Sequence, residues 1–297
     1  MYMEFNDFIK KVADSIPEYL LQYEIDKVHI DKVSKNNGIV CTGMSIVLKG
    51  ESISPNIYLD YYYSLYSRGK PFEEILVLIR DEYREARKRL EQDNIMTTLS
   101  ADEVKQNVFI KLINYEKNKD MLENCPYIPF LDLAVSFRYL VKHDDNGIAS
   151  AIVRNTDMEK WGFSTEDLYN LAKENTRRLF PPSLGRLDFV LKNVVPDADD
   201  IPEDTGLYVL TNEQGINGAV YMIYKDIIAE LANEKGSSLY ILPSSIHEVL
   251  LLPVVPEHNK EDLAIMVKEI NRYVVSDMDY LSDNVYFYDI NDGTITI

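Results

Sequence analysis

Four residues within five positions carry the groups of nucleophilic chemistry: Ser244, Ser245, His247 and Glu248. Serine supplies a hydroxyl, histidine a base near neutral pH and glutamate a carboxylate to orient that base, which together are the parts of a hydrolytic site. Nearness along the chain is not the geometry such a site requires. In an extended segment Ser245 and His247 share one face while Glu248 points to the other. The segment also lacks the Gly-x-Ser-x-Gly elbow that exposes a serine beside an oxyanion hole. A turn capped by serine hydroxyls is the preferred reading, and Ser245, His247 and Glu248 are the candidate catalytic residues of the alternative one.

Other chemistries find less support. The histidines stand at 29, 143, 247 and 258 and share no ligand spacing, with no His-Glu-x-x-His or Cys-x-x-Cys, so no metal is expected. Asp197, Asp199, Asp200, Glu203 and Asp204 could gather calcium, but Pro202 stands where the loop needs glycine and Tyr208 where it needs glutamate. A solvated acidic linker fits them better. There is no phosphate loop or dinucleotide fingerprint, and no cofactor is expected. Gly215 to Gly218 matches the loop of an RNA-binding KH domain only as a bare string, and a hairpin turn is the better reading. Cys41 and Cys125 give no disulfide framework and are read as buried thiols.

The elements that would carry these groups read as α+β. Phe5, Phe8, Ile9, Val12 and Ile16 recur at helical spacing. A hairpin is expected over 27–49, turning at the Asn37-Gly38 step, with a third strand at Ser54–Asp60. The tyrosines from Tyr58 to Tyr66 read as packing at a sheet edge. A helix follows over 72–90, whose Arg84, Arg87, Lys88 and Arg89 read as a solvated face favouring the helix dipole. Val108–Ile113 reads as a strand, and 129–153 as a hairpin of one strand over Pro129–Val141 and another from Ile148. A helix over 164–178 is capped by Ser164 with Asp167. Pro181-Pro182 and the acidic Pro196–Asp204 are the linker candidates. Beyond them Gly206–Leu210 and Gly218–Met222 read as strands, Lys225–Glu234 as a helix, and Leu239–Pro253 as two strands. A helix over Glu261–Val274 and a strand over Asn284–Asp289 complete the order. The expected architecture is largely antiparallel sheets built from hairpins, with helices packed on one face. Two subdomains are expected, 1–182 and an acidic ββαββαβ region over 183–297.

Charge restricts the partners. The chain of 297 residues carries a net −18, and residues 201–297 hold 5 basic against 16 acidic residues. Such a field repels nucleic acid and anionic lipid, so neither is an expected partner, whereas a protein bound through the acidic C-terminal part is possible. Neither a membrane-spanning run nor a signal peptide is read from the sequence, and a cytoplasmic location is expected.

The stretches Ile53–Asp60, Leu168–Asn175, Leu239–Pro253 and Leu281–Asp289 resemble a full-length family of Clostridia (Firmicutes) catalogued as a domain of unknown function, number 5688. The resemblance implies a bacterial cytoplasmic protein, sometimes of mobile-element context, and transfers no activity or site residue. Two readings of function follow from the sequence. One is a non-catalytic regulatory or interaction protein. The other is a hydrolase-like enzyme of unlisted type with its site near Ser245 and His247, in which the histidine has a carboxylate behind it. In the first reading that carboxylate is missing.

Overall fold

The helical spacing of Phe8 and Val12 forms α1 (Phe5–Ser15), which buries both side chains completely. A 3-10 turn started by Pro17 follows, and then β1 (Ile25–Ser34) and β2 (Val40–Leu48) pair antiparallel. Asn37 takes φ 58° and Gly38 φ 69°, the positive values that the Asn-Gly step supplies. The next strand, β3 (Asn56–Tyr58), is shorter than expected, because the chain turns at once into α2 (Leu59–Ser67). The tyrosine cluster is therefore helical and not a sheet edge. Tyr63 and Tyr66 stack against Phe8 of α1. Helix α3 (Phe72–Asp93) buries Ile75, Leu76, Ile79 and Tyr83 against these elements. Its basic face is not all solvated: Arg87 is buried and paired with Glu51, whose carboxyl it holds below the usual range. This computed structural model describes residues 3–51, 54–93, 101–144, 147–194 and 206–297. The elements so far form one unit, Met1–Lys35 with Ile39–Thr98.

The second unit is Asn36–Gly38 with Leu99–Ile297. It opens with α4 (Ala101–Asn107), β4 (Val108–Asn114) and the short α5 (Lys119–Leu122). The strand expected over Pro129–Val141 is two, β5 (Tyr127–Phe130) and β6 (Leu133–Asp144), reversed at Leu131-Asp132. With β7 (Gly147–Ile152) they make a four-stranded antiparallel sheet. Helix α6 (Asn155–Trp161) leads to α7 (Thr165–Leu179), capped reciprocally by Ser164 and Asp167. The double proline is no linker: Pro182 opens β8 (Pro182–Arg186), an edge strand, where a missing N–H costs little. The other linker candidate, Pro196–Asp204, lies outside the described residues. Then come α8 (Leu187–Val194) and β9 (Tyr208–Asn212). Gly218–Ile223 forms a buried 3-10 helix in place of the expected strand. Helix α9 (Lys225–Lys235) precedes β10 (Leu239–Leu242), β11 (Val249–Pro253), α10 (Lys260–Tyr273), β12 (Tyr286–Tyr288) and β13 (Ile295–Thr296). The region beyond 183 is thus richer than ββαββαβ, with a six-stranded antiparallel sheet in the order β13-β12-β10-β11-β9-β8.

The two sheets of this unit share one core, which is why no boundary separates them. Ile110, Leu112, Val135 and Phe137 from one sheet join Leu239, Ile241, Val249 and Leu251 from the other. On the far face of the six-stranded sheet Leu242, Val267 and Val285 form a smaller cluster, with Leu250 at its edge. Strand β11 is interior and apolar on both faces, as its sequence implies. Leu251→Ala, at a site with no exposure, is expected to cost roughly 2–5 kcal/mol, and Leu250→Ala less.

At the rim of that core the carboxylate of Asp132 accepts hydrogen bonds from Ser282 Oγ (2.6 Å), Asn284 Nδ2 (2.9 Å) and Tyr286 Oη (2.6 Å). Tyr286 is fully buried, and burial together with Asp132 pushes its hydroxyl far above the usual range. Asp132→Ala removes the acceptor and leaves a buried phenol unpaired. Urea unfolding should show a loss of roughly 3 kcal/mol, with Tyr286→Phe costing clearly less; a loss below about 1 kcal/mol would mean that the three donors find other acceptors.

Candidate functional site

Strands β10 and β11 are joined by the loop Pro243–Glu248, and the expected candidates all lie on it. Ser244 Oγ and Ser245 Oγ both donate to Glu248 Oε1, at 2.7 and 2.8 Å. Ser245 Oγ also accepts from the backbone N–H of His247 at 2.9 Å. These bonds make the serine-capped turn that the composition suggested. They also commit both hydroxyls, since Ser245, which is buried, bonds to Glu248 and to backbone and not to the imidazole.

His247 departs from the expectation of the non-catalytic reading, in which it lacks a carboxylate partner. Its Nε2 lies 3.2 Å from Asp279 Oδ1, and its Nδ1 accepts from the backbone N–H of Asn217 at 3.2 Å. Because Nδ1 accepts, the proton of the neutral ring sits on Nε2 and is donated to Asp279. Asp279 is itself fixed, accepting from Ser276 Oγ at 2.7 Å through its other oxygen and from the N–H of Ile246 at 2.8 Å through its carbonyl. The serine half of the expectation agrees with the structure, for no serine hydroxyl bonds to the ring among the described residues. The ring therefore has both nitrogens engaged and a carboxylate behind it but no nucleophile in front.

The backbone of His247 is held as tightly as its ring. Its carbonyl accepts from Thr211 Oγ1 at 2.8 Å. A Cβ on Gly218 would stand 2.6 Å from that carbonyl oxygen and 2.3 Å from Thr211 Oγ1, so only glycine fits at this crossing. Sequence spacing could not have revealed Thr211, Asn217 or Asp279 as partners, because Thr211 comes from β9 and the other two from segments 30 and 32 positions from His247.

Another group emerges only in the structure. Lys111, in the middle of β4, has its ammonium pushed down to about 8 by burial, with Arg138 adding repulsion and Asp279 opposing the shift. It makes no ion pair among the described residues. Arg138, on the neighbouring strand β6, is tied by Nε to Ser150 Oγ at 2.9 Å and by Nη2 to the Ser150 carbonyl at 2.8 Å. Asp279 thus lies in the field of one lysine and in contact with one histidine. Cys125 has its thiol pushed up by burial, the opposite of an activated nucleophile. Among the described residues no group of three or more His, Cys, Asp or Glu could hold a metal ion, and no helix is long and apolar enough to cross a membrane.

Fold and site together define an α+β protein of antiparallel sheets in which, among the described residues, the hydroxyls of Ser244 and Ser245 bond to Glu248 and the ring of His247 bonds to Asp279 and Asn217. Over residues 5–290 the chain matches the family of unknown function DUF5688, and it belongs to that family. No curated protein and no solved structure matches it.

The lowered lysine gives a test with a defined sign. A lysine at about 8 in the folded chain and near 10.5 when unfolded binds fewer protons folded between those values. The penalty for its charge is therefore present in full below pH 8 and relieved as pH rises toward 10.5. Lys111→Met should stabilise the protein at pH 7 by roughly 1–3 kcal/mol, and the gain over wild type should shrink across pH 8 to 10.5. A difference that does not vary with pH would place the ammonium in ordinary solvent.

Proposed function

We propose that the protein is a non-catalytic, cytoplasmic interaction protein that docks a basic partner protein on α10. The observation that carries this reading is a stripe of that helix left open to solvent. Met266, Ile270, Tyr273 and Val274 recur at i, i+4, i+7 and i+8 and are all exposed, Tyr273 by 76% and Val274 by 77%. The adjoining face is the one that packs, burying Val267 and Asn271. Single exposed apolar residues are common, but a continuous stripe on one helix face signals a contact surface.

Its surroundings favour one kind of occupant. Glu261, Asp262, Glu269 and Asp277 are exposed along the same segment beside the cations Lys268 and Arg272, in a third of the chain that carries 5 basic and 16 acidic residues in all. A surface that is apolar at its centre and basic at its rim complements this one, and its approach is accelerated by the field. A second copy of the chain would bring like charges together, and nucleic acid would bring phosphates to an acidic face. The hydrolase-like alternative at Ser245 and His247 keeps the pair formed with Asp279 but has no free hydroxyl to activate.

The test uses a helical probe peptide with leucines at i, i+3, i+4 and i+7 and lysines elsewhere, followed by fluorescence anisotropy. It should bind the wild type with an affinity that falls as salt rises. Ile270→Asp combined with Tyr273→Asp should weaken binding by at least about tenfold, ~1.4 kcal/mol, without changing thermal unfolding. Equal binding by that variant, or equal binding of a leucine-glutamate peptide, would overturn the proposal.

A further inference from the structure

Away from α10, which lines neither of them, two adjoining cavities of about 540 and 400 Å³ share Lys173 and Asp226. They lie between α7, β5 and the start of α9, and their two ends differ in chemistry. Ile128 and Phe130 of β5, Val135 of β6 and Ile223 make one end apolar. At the other end α7 presents Lys173, Arg177 and Arg178, and α9 presents Lys225. Four cations against Glu174 and Asp226 form a positive mouth on a chain whose net charge is −18.

The cations have unequal commitments. Arg177 is paired with Asp226 at 2.6 Å and lies 5.1 Å from the Tyr224 ring, while Arg178 bonds to Asn175 Oδ1 at 3.0 Å and to the Gln106 carbonyl. Both also sit in the last turn of α7, where a cation complements the helix dipole. Lys173 and Lys225 have neither explanation. Neither makes an ion pair among the described residues. Lys173 Nζ is held 5.8 and 5.7 Å from the rings of Tyr169 and Tyr224, and Lys225 stands in the first turn of α9, where the dipole opposes a cation. Two ammonium groups are thus kept at the mouth of an apolar pocket, one beside two tyrosine rings and one in the field of Asp292.

We propose that these cavities form one binding site for a medium-chain carboxylate. Its carboxylate is held by Lys173 and Lys225, and its aliphatic body lies over Ile128, Phe130 and Val135. The volume suits a small ligand lying in an open groove, and the division into one charged and one apolar end selects against both a simple inorganic anion and an uncharged hydrocarbon. The site uses no residue of α10, so it stands or falls separately from the docking surface.

Isothermal calorimetry with decanoate on the full chain tests this, with decanol, decylamine and inorganic phosphate as comparison ligands. Decanoate should bind at one site per chain, with decanol and decylamine at least tenfold weaker and phosphate weaker still. Shortening to octanoate should weaken binding severalfold, at most about fourfold for each methylene withdrawn from water. Lys173→Gln combined with Lys225→Gln, two changes at the solvent-facing mouth, should lower decanoate affinity at least tenfold and leave decanol unchanged. The proposal is overturned if decanoate does not bind, if decanol or phosphate binds as tightly, or if the double variant binds decanoate like wild type.

Discussion

Asp132 occupies a two-residue turn whose other member, Leu131, adopts φ 57°, a left-handed conformation that a leucine takes only when its surroundings impose it. The carboxylate receives bonds from residues 150, 152 and 154 positions further along the chain. A local backbone cost is therefore offset by contacts that exist only once the C-terminal sheet has arrived. Around this knot two further side-chain amides bond to the same segment. Asn114 donates to the Leu281 carbonyl at 2.9 Å, and Asn271 donates to the Ser282 carbonyl at 2.8 Å and to Asp283. The segment from 281 to 286 is thereby pinned at the core's edge. Its apolar members Leu281, Val285 and Tyr286 are buried there.

Local patterns were legible in the sequence where one residue's chemistry sets the backbone. Asn37-Gly38 announces its turn, Ser164 with Asp167 its cap, and Val249 to Leu252 an interior strand, because each signal acts within a few positions. The misread places are those where distant contacts decide. Gly218–Ile223 has strand-like composition, yet Gly218 is packed so closely against Thr211 and His247 that the chain coils into a 3-10 turn. Pro181-Pro182 looks like a break, but an open sheet edge accepts Pro182. The tyrosines after Tyr58 carry strand propensity, and the packing of Tyr63 and Tyr66 on Phe8 overrides it.

The candidate residues at 244–248 show the same limit for chemistry. Their types suggested a triad and their order suggested a turn, and the order was the better guide. What the sequence could not supply was Asp279, 32 positions from His247, or the two hydrogen bonds that occupy its ring. A histidine with a carboxylate behind it is half of a catalytic device. Here the other ring nitrogen accepts from the backbone N–H of Asn217.

The shared core also sets an order of events during synthesis. Its strands run from Val108 to Tyr288, so the face of β4 and β6 has no complete cover until β12 has left the ribosome. Between the emergence of Asp132 and that of Tyr286 lie 154 residues, on the order of ten seconds of translation. During that interval Ile110, Leu112, Val135 and Phe137 belong to a sheet with one wet side. The nascent chain consequently carries an apolar sheet face without its full cover over that interval, which ends with the last strands and not with the first unit.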